Sequence, residues 1–466
     1  MNKRIIFIII ILTVLAGLGI TLIILSREPQ VSSVPELPVY EYVFVTGNAI
    51  DLSYVTVSNR YGEFTITGGD NPVLAGYEGF PVSVFYFLHI LNVSSRLISW
   101  GLVTDEALNL SIFGLDPPQA KVLIQPENGE AVTLLVGNNA PDGNVYVKLD
   151  DKPQIYLASS FDIALFFSSI LDLMDTTLTP PALKDEYEKL IFESITFGGI
   201  AREEITIVNV DPADKSIPFV NSGFRIINPV NALVSIDGSS LLDSLFGLYA
   251  FSAISVISEA GDLDRFGLLQ PWSTAEVTGA GGNFRIHVSK PDVTEMVFVY
   301  REGTSLVYVA MAYDFPWLDA SWYDLMDKMV ILPFIDNIAS IDIKTGQRTE
   351  TFSLSGQGNN LTVKAGDIEI ETGNFRNFYQ TLIGARYDEY IDVSGESILP
   401  PFLEIIFNYR DTRQSADIVS FHESSGRRIL TSLNGGRPLL TLSAYTDQLL
   451  SDLDLILSGQ RVRPYL

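Results

Sequence analysis

Cysteine is absent from all 466 residues. That excludes disulfides, thiolate metal sites, cysteine nucleophiles and lipid attachment through a thiol. A chain of this size can rely on packed cores without covalent staples, so the absence is compatible with export. Positive charge is also scarce: 30 Lys and Arg face 56 Asp and Glu, a formal net charge of −26. Residues 1–27 hold Lys3, Arg4 and Arg27 and no acid, which leaves 27 basic against 56 acidic residues, or −29, in the remainder. Such a surface repels nucleic acid, whose binding depends on Lys and Arg neutralising phosphates. It disfavours anionic lipid headgroups for the same reason, favours basic partner surfaces, and keeps an exported domain soluble.

Histidine is nearly absent too. His89, His287 and His422 show no HxxxH or HxH spacing, so a zinc site would have to be assembled from three distant segments. The glycine-rich stretch 279–282 lacks the Lys-Ser/Thr of a P-loop and precedes a strand, which reads as a hairpin turn. Asp262-Leu263-Asp264 and Asp452-Leu453-Asp454 lack the further ligands of an EF-hand loop and read as surface turns or helix caps. No Gly-x-Ser-x-Gly elbow occurs. No catalytic, cofactor-binding or metal-ligating residue is assigned, and no cofactor is expected.

Long apolar runs are confined to the start of the chain. Ile5–Leu25 is 21 residues without a charge, about 30 Å as a helix, which matches one bilayer core. Lys3 and Arg4 precede it, so the N-terminus is expected in the cytoplasm and the bulk of the chain outside. The run exceeds a signal-peptide core and no Ala-x-Ala site follows, so an uncleaved single-pass signal anchor over residues 1–27 is expected. Residues 28–39, with Pro29, Pro35 and Pro38, read as a linker.

Beyond the linker one phrase recurs. Phe113-Gly114-Leu115-Asp116-Pro117-Pro118 is answered, 153 residues after Phe113, by Phe266-Gly267-Leu268 with Pro271. A third, worn copy is Leu399-Pro400-Pro401. Spacing of this length reads as tandem copies of one domain: repeat 1 over 40–183, repeat 2 over 184–333 and a degenerate repeat 3 over 334–466. Gly permits a positive φ, Leu anchors the loop, and the Pro pair forces an extended path before the next strand, so the phrase reads as a structural joint. Period-two alternation, as in Leu52–Val57 and Leu403–Tyr409, recurs through each copy. Helices are expected over Val82–Val93, Phe161–Met174, Ser239–Phe251, Ala320–Met329, Phe375–Ile383 and Ala444–Leu457. The fold class is α+β, with mainly antiparallel sheet and one or two helices per copy.

The anchor, the paired strands, the helix, the Gly-Leu-x-Pro-Pro phrase and the closing strands resemble the domain of unknown function 4340 family, most clearly over 43–161. That resemblance implies a context and no catalytic residues: members are often encoded beside ABC-transporter components like those named for gliding motility. The leading expectation is a non-enzymatic, membrane-anchored extracytoplasmic interaction protein, accessory to an ABC-type transport system. Trp317, Trp322 and Tyr313 belong to the densest aromatic stretch, which reads first as core packing of the closing helix and, as the alternative, as a candidate interaction surface. The alternatives are a binding module for envelope glycans or a small ligand in a cleft between repeats, and a hydrolase with two carboxylates facing one cleft.

Overall fold

The computed structural model describes residues 41–106, 109–210, 223–279, 282–346, 348–390, 398–424 and 426–464. The expected anchor over Ile5–Leu25 and the linker over 28–39 lie outside these residues. Among the described residues no helix is long and apolar enough to cross a membrane. The chain divides into two compact units, one built on the stretch up to Glu78 with Phe85–Ser169, the other on Gly79–Val84 with the chain from Ile170 onward.

Each unit is made of antiparallel sheet. The smaller unit holds one seven-stranded sheet in the order Gly62–Thr67, Leu52–Asn59, Ala120–Pro126, Val132–Asn139, Val145–Leu149, Ile155–Ala158, Gly101–Thr104. The larger unit holds two. One runs Ala232–Leu233, Phe224–Asn228, Ile205–Asn209, Ser194–Gly198, Ser273–Thr278, Phe284–Val288, Met296–Arg301, Leu306–Met311, Ser252–Val256. The other runs Ile368–Ile370, Thr362–Ala365, Arg348–Ser355, Ile338–Thr345, Leu403–Tyr409, Asp417–His422, Arg428–Leu433, Leu439–Leu442. In all three, an opening hairpin lies beside a four-strand meander, and the third copy, despite its worn phrase, has the same six-strand centre. The glycine-rich stretch 279–282, whose middle two residues are outside the described set, joins the antiparallel partners Ser273–Thr278 and Phe284–Val288.

The alternation read from the sequence becomes alternating burial. Val122 and Ile124, and likewise Leu403, Ile405 and Phe407, are fully buried while their neighbours are not. The helix Thr372–Leu382 covers the third sheet with Phe375, Phe378, Tyr379 and Leu382, the spacing of one helical face. Its Glu371 side chain caps the first turn by accepting from Gly373 and Asn374 N–H groups. Phe352 of the sheet meets Phe375 and Phe378 at ring-centroid distances of 5.5 and 5.4 Å. Each such buried ring contributes roughly 1.5–3 kcal/mol relative to exposure.

Helices over Val84–Ser95, Ile236–Asp243, Thr372–Leu382 and Ser443–Leu457 overlap their expected positions. Two expected closing helices do not form. Over Phe161–Met174 there is one α-turn, Ser160–Ile163, followed by the 3-10 turns Ala164–Phe167 and Leu171–Leu173. The Asn59 amide donates to the carbonyls of Phe166 and Ser168 at 3.0 and 2.8 Å, so these acceptors are paired outside any helix. Over Ala320–Met329 only Trp322–Leu325 is helical. There the chain turns extended at Met326, which bridges antiparallel to Val234.

Candidate functional site

The repeated phrase is a helix terminator. Gly114 and Gly267 adopt φ of 68° and 67°. Gly114 N–H donates to Ser111 and Leu115 N–H to Leu110; Gly267 N–H donates to Asp264 and Leu268 N–H to Leu263. Both are the paired 5→2 and 6→1 bonds of a Schellman motif. Leu115 and Leu268 then enter the core, 2% and 1% exposed. Phe113 meets Tyr146 edge-on at 5.0 Å, and Phe266 meets Phe298 edge-on at 5.0 Å, each on the third meander strand of its sheet. The expected extended path at the Pro pair is corrected: Leu115 and Pro118 bridge antiparallel across a tight turn containing the cis Asp116–Pro117 peptide. Pro271, in the second copy, accepts from Ile200 N–H at 3.1 Å. In the third copy Leu399 is exposed, and its carbonyl accepts from His422 Nδ1–H at 2.7 Å.

The aromatic stretch is not one surface. Trp317 is completely buried, packed on Phe197 and Phe315 with centroids 5.7 Å away in each case. Trp322 is 3% exposed, while Tyr313 is exposed. Two of the three rings fill the interior, so the three form no shared platform. Arg202 closes the loop between them, donating to the carbonyls of Trp317, Leu318 and Ala320 and to Ser273 Oγ.

A second repeated phrase went unread: Asp172-Leu173-Met174-Asp175 and Asp324-Leu325-Met326-Asp327, 152 residues apart. Within the larger unit these build two equivalent joints. Val82 bridges Met174, with Ser83 N–H on Leu173 and Asp175 N–H on Pro81, both 2.9 Å. Val234 bridges Met326, with Ser235 N–H on Leu325 and Asp327 N–H on Leu233, both 2.8 Å. Asp175 Oδ1 then accepts from Thr177 N–H at 3.0 Å, and Asp327 Oδ1 from Met329 N–H at 2.9 Å. From there Thr177 bridges Tyr249, and Met329 bridges Arg386. Self-comparison of the sequence within one residue of the 153-residue offset would have found this signal.

The second joint borders a cavity of about 360 Å³ between the two sheets of the larger unit. The second sheet supplies Arg225, Asn231 and the edge pair Ala232–Leu233; the joint supplies Met326, Asp327 and Met329; the third sheet supplies Asp417 and the turn Asn434-Gly435-Gly436-Arg437. Arg437 is held from several sides. Its guanidinium carbon lies 5.3 Å from the Trp322 centroid and 5.0 Å from that of Tyr390, it donates to the Tyr390 hydroxyl, and it pairs with Glu203 at 3.2 Å. Arg225 Nε donates to Asn231 Oδ1. Asp417 is 3% exposed and accepts from Tyr409 Oη–H and, at 2.7 Å, from Asn434 Nδ2. Burial pushes its carboxyl above the ordinary 3.8, against the opposing pull of those two hydrogen bonds.

The histidines are dispersed. His89 lies between Phe85 and Phe161, His287 pairs with Glu302 at 2.8 Å, and His422 holds the Leu399 carbonyl. Among the described residues no group of three or more His, Asp or Glu could hold a metal ion.

A family model described as Domain of unknown function (DUF4340) matches residues 90–205 and 237–399, more than half of the chain and in two stretches, as a tandem repeat requires. No curated protein and no solved structure matches.

Proposed function

This chain belongs to the DUF4340 family, and we propose that it acts by binding and not by catalysis, as an interaction protein held at the outer face of a membrane by a helix over Ile5–Leu25. The observation that carries this reading is the repetition itself. Three sheets share one six-strand centre, an opening hairpin beside a four-strand meander, and the two joints reuse the same Val–Met bridge. Tandem modules of this kind present successive similar surfaces, a common basis for protein–protein contact. The charge of −29 beyond residue 27 suits a basic partner surface. The inward placement of Trp317 and Trp322 favours a protein partner over a glycan stacked on a tryptophan platform. We assign the partner to an ABC-type transport system.

Crosslinking the full chain in native membranes, followed by affinity capture, tests this. Recovery of transporter permease or ATPase subunits is the expected result; their consistent absence among crosslinked partners overturns the assignment. Removal of residues 1–27 is expected to shift the protein from the membrane to the soluble fraction.

A further inference from the structure

We propose that the edge of the first sheet at Trp100–Thr104 is a lipid-docking surface, seated in the headgroup zone of a zwitterionic membrane. The inference rests on the reading of Ile5–Leu25 as a membrane helix and adds to it that the smaller unit meets the bilayer itself. Gly101–Thr104 is an edge strand, paired on one side with Ile155–Ala158. A sheet edge open to water is ordinarily blunted by charge, proline or covering structure. Here the consecutive residues Leu102 and Val103 are 46% and 37% exposed. Strict alternation would turn one of them inward, but the register slips between Leu102 and Thr104, which leaves both outside. Trp100, just before the strand, is 62% exposed and is the most exposed of the four tryptophans. Tyr42, whose register partner is Ile98, is exposed as well. Trp and Tyr are enriched where water meets lipid, because each joins an apolar body to a polar tip.

The place of this edge along the chain says what covers it. Glu41, the first described residue, accepts from Ser99 N–H at 2.8 Å, and the next residue, Trp100, donates its N–H to the Leu157 carbonyl at 2.8 Å. Chain arriving from the apolar run therefore joins the smaller unit at this edge. Fifteen residues separate Leu25 from Glu41, and that length can span at most about 50 Å. A tether of that reach holds the edge at an effective concentration of about millimolar beside the bilayer. Contacts too weak to retain a free domain then suffice. The charged residues flanking the strand are Glu41, Asp105, Glu106 and Arg96, all exposed and mostly acidic. An anionic headgroup would be repelled, so the contact is apolar insertion into lipid of no net charge, as interfacial elements make with their apolar face.

The absence of cysteine makes the test direct, because Leu102→Cys in the full chain takes a single fluorophore. Tyr61→Cys is the control: Tyr61 is also exposed but sits on the turn joining Leu52–Asn59 to Gly62–Thr67, at the opposite side of the same sheet, roughly 25 Å away at about 4.8 Å per strand. Both labelled chains are reconstituted into phosphatidylcholine vesicles with and without bromine high on the acyl chain, floated on a density gradient, and compared. The Leu102 probe is expected to lose about half or more of its fluorescence to brominated lipid, and the Tyr61 probe about a tenth or less. Adding Trp100→Glu, checked first for an unchanged melting profile, is expected to reduce the quenching at Leu102 at least about twofold while flotation is unchanged. A chain that floats with its Leu102 probe unquenched overturns this inference alone; a chain that does not float overturns the membrane-helix reading and this inference with it. Leu102 probes that quench one another at high lipid-to-protein ratio, and are untouched by bromine, place a second copy on the edge and likewise overturn lipid docking.

Discussion

The hydroxyl of Tyr409 donates to Oδ2 of Asp417 across neighbouring strands of the third sheet. Asp417 lies at the cavity wall yet is almost inaccessible, and burial raises its pKa above 3.8. A folded-state pKa above the unfolded one means that the native state binds more protons in the window between the two. This contribution is fully present below 3.8 and is lost as pH rises through the raised value. Asp417→Asn keeps a partner for Tyr409 and removes the titration. Denaturation midpoints of wild type and variant are expected to diverge in the variant's favour as pH rises through this window; parallel curves would refute the assignment.

Lys328 carries the opposite sign. Its ammonium, donating to the Tyr323 carbonyl and lying over the Tyr323 ring, is lowered by burial from 10.5 to about 8, although Asp324 and Asp327 oppose the shift. Its stability contribution is therefore full above pH 10.5 and is lost as pH falls through about 8. The stability of wild type relative to Lys328→Met is expected to rise between these limits and stay flat at neutral pH. Chemical denaturation at pH 7, 8, 9 and 10 reads the difference directly.

The two joint glycines are expected to differ in tolerance. Both have positive φ, so Ala at either position should cost about 1 kcal/mol in backbone strain. At Gly267 an added Cβ finds Ser289 no closer than 3.9 Å, whereas at Gly114 it would stand 2.4 Å from the Asn138 side chain. Gly114→Ala should therefore lose more protection than Gly267→Ala, measured by hydrogen exchange in the strand next to each. Equal losses would mean that Asn138 swings away without cost.

Arg202 secures the loop around the buried Trp317. Arg202→Met would leave the carbonyls of Trp317, Leu318 and Ala320 without this donor, at about 1–3 kcal/mol for each acceptor that finds no water. The variant is expected to melt the second sheet early, and Arg202→Lys to recover only part of the loss because its single ammonium cannot span all four acceptors. Tryptophan fluorescence during denaturation follows the loop; an unchanged midpoint in Arg202→Met would contradict the role.

Much of the fold was legible because alternation has a local cause. A strand with one face buried must place apolar residues two apart, as Leu403, Ile405 and Phe407 do, and the helix Thr372–Leu382 carries its own cap and face. The closing helices of the first two copies were misread because Phe161–Met174 and Ala320–Met329 are apolar enough for either state. Asn59 in one case and Val234 in the other decide the outcome from more than 80 residues away. The cavity was not legible at all: Arg225, Asp327, Asp417 and Arg437 are spread over more than 200 residues, and no local spacing links them.

By itself the amino-acid sequence determined the tandem copies, the acidic balance, the apolar run over Ile5–Leu25 and the positive-φ joints at Gly114 and Gly267, since each follows from composition or from the chemistry of a few adjacent residues. Only the tertiary structure decided that Trp317 and Trp322 are interior, that each Asp-Leu-Met-Asp phrase seats a Val–Met bridge, and that two arginines line one cavity. Those facts depend on which distant backbone edge each segment meets, and a hydrogen bond or an aromatic contact across a sheet leaves no periodic trace along the chain.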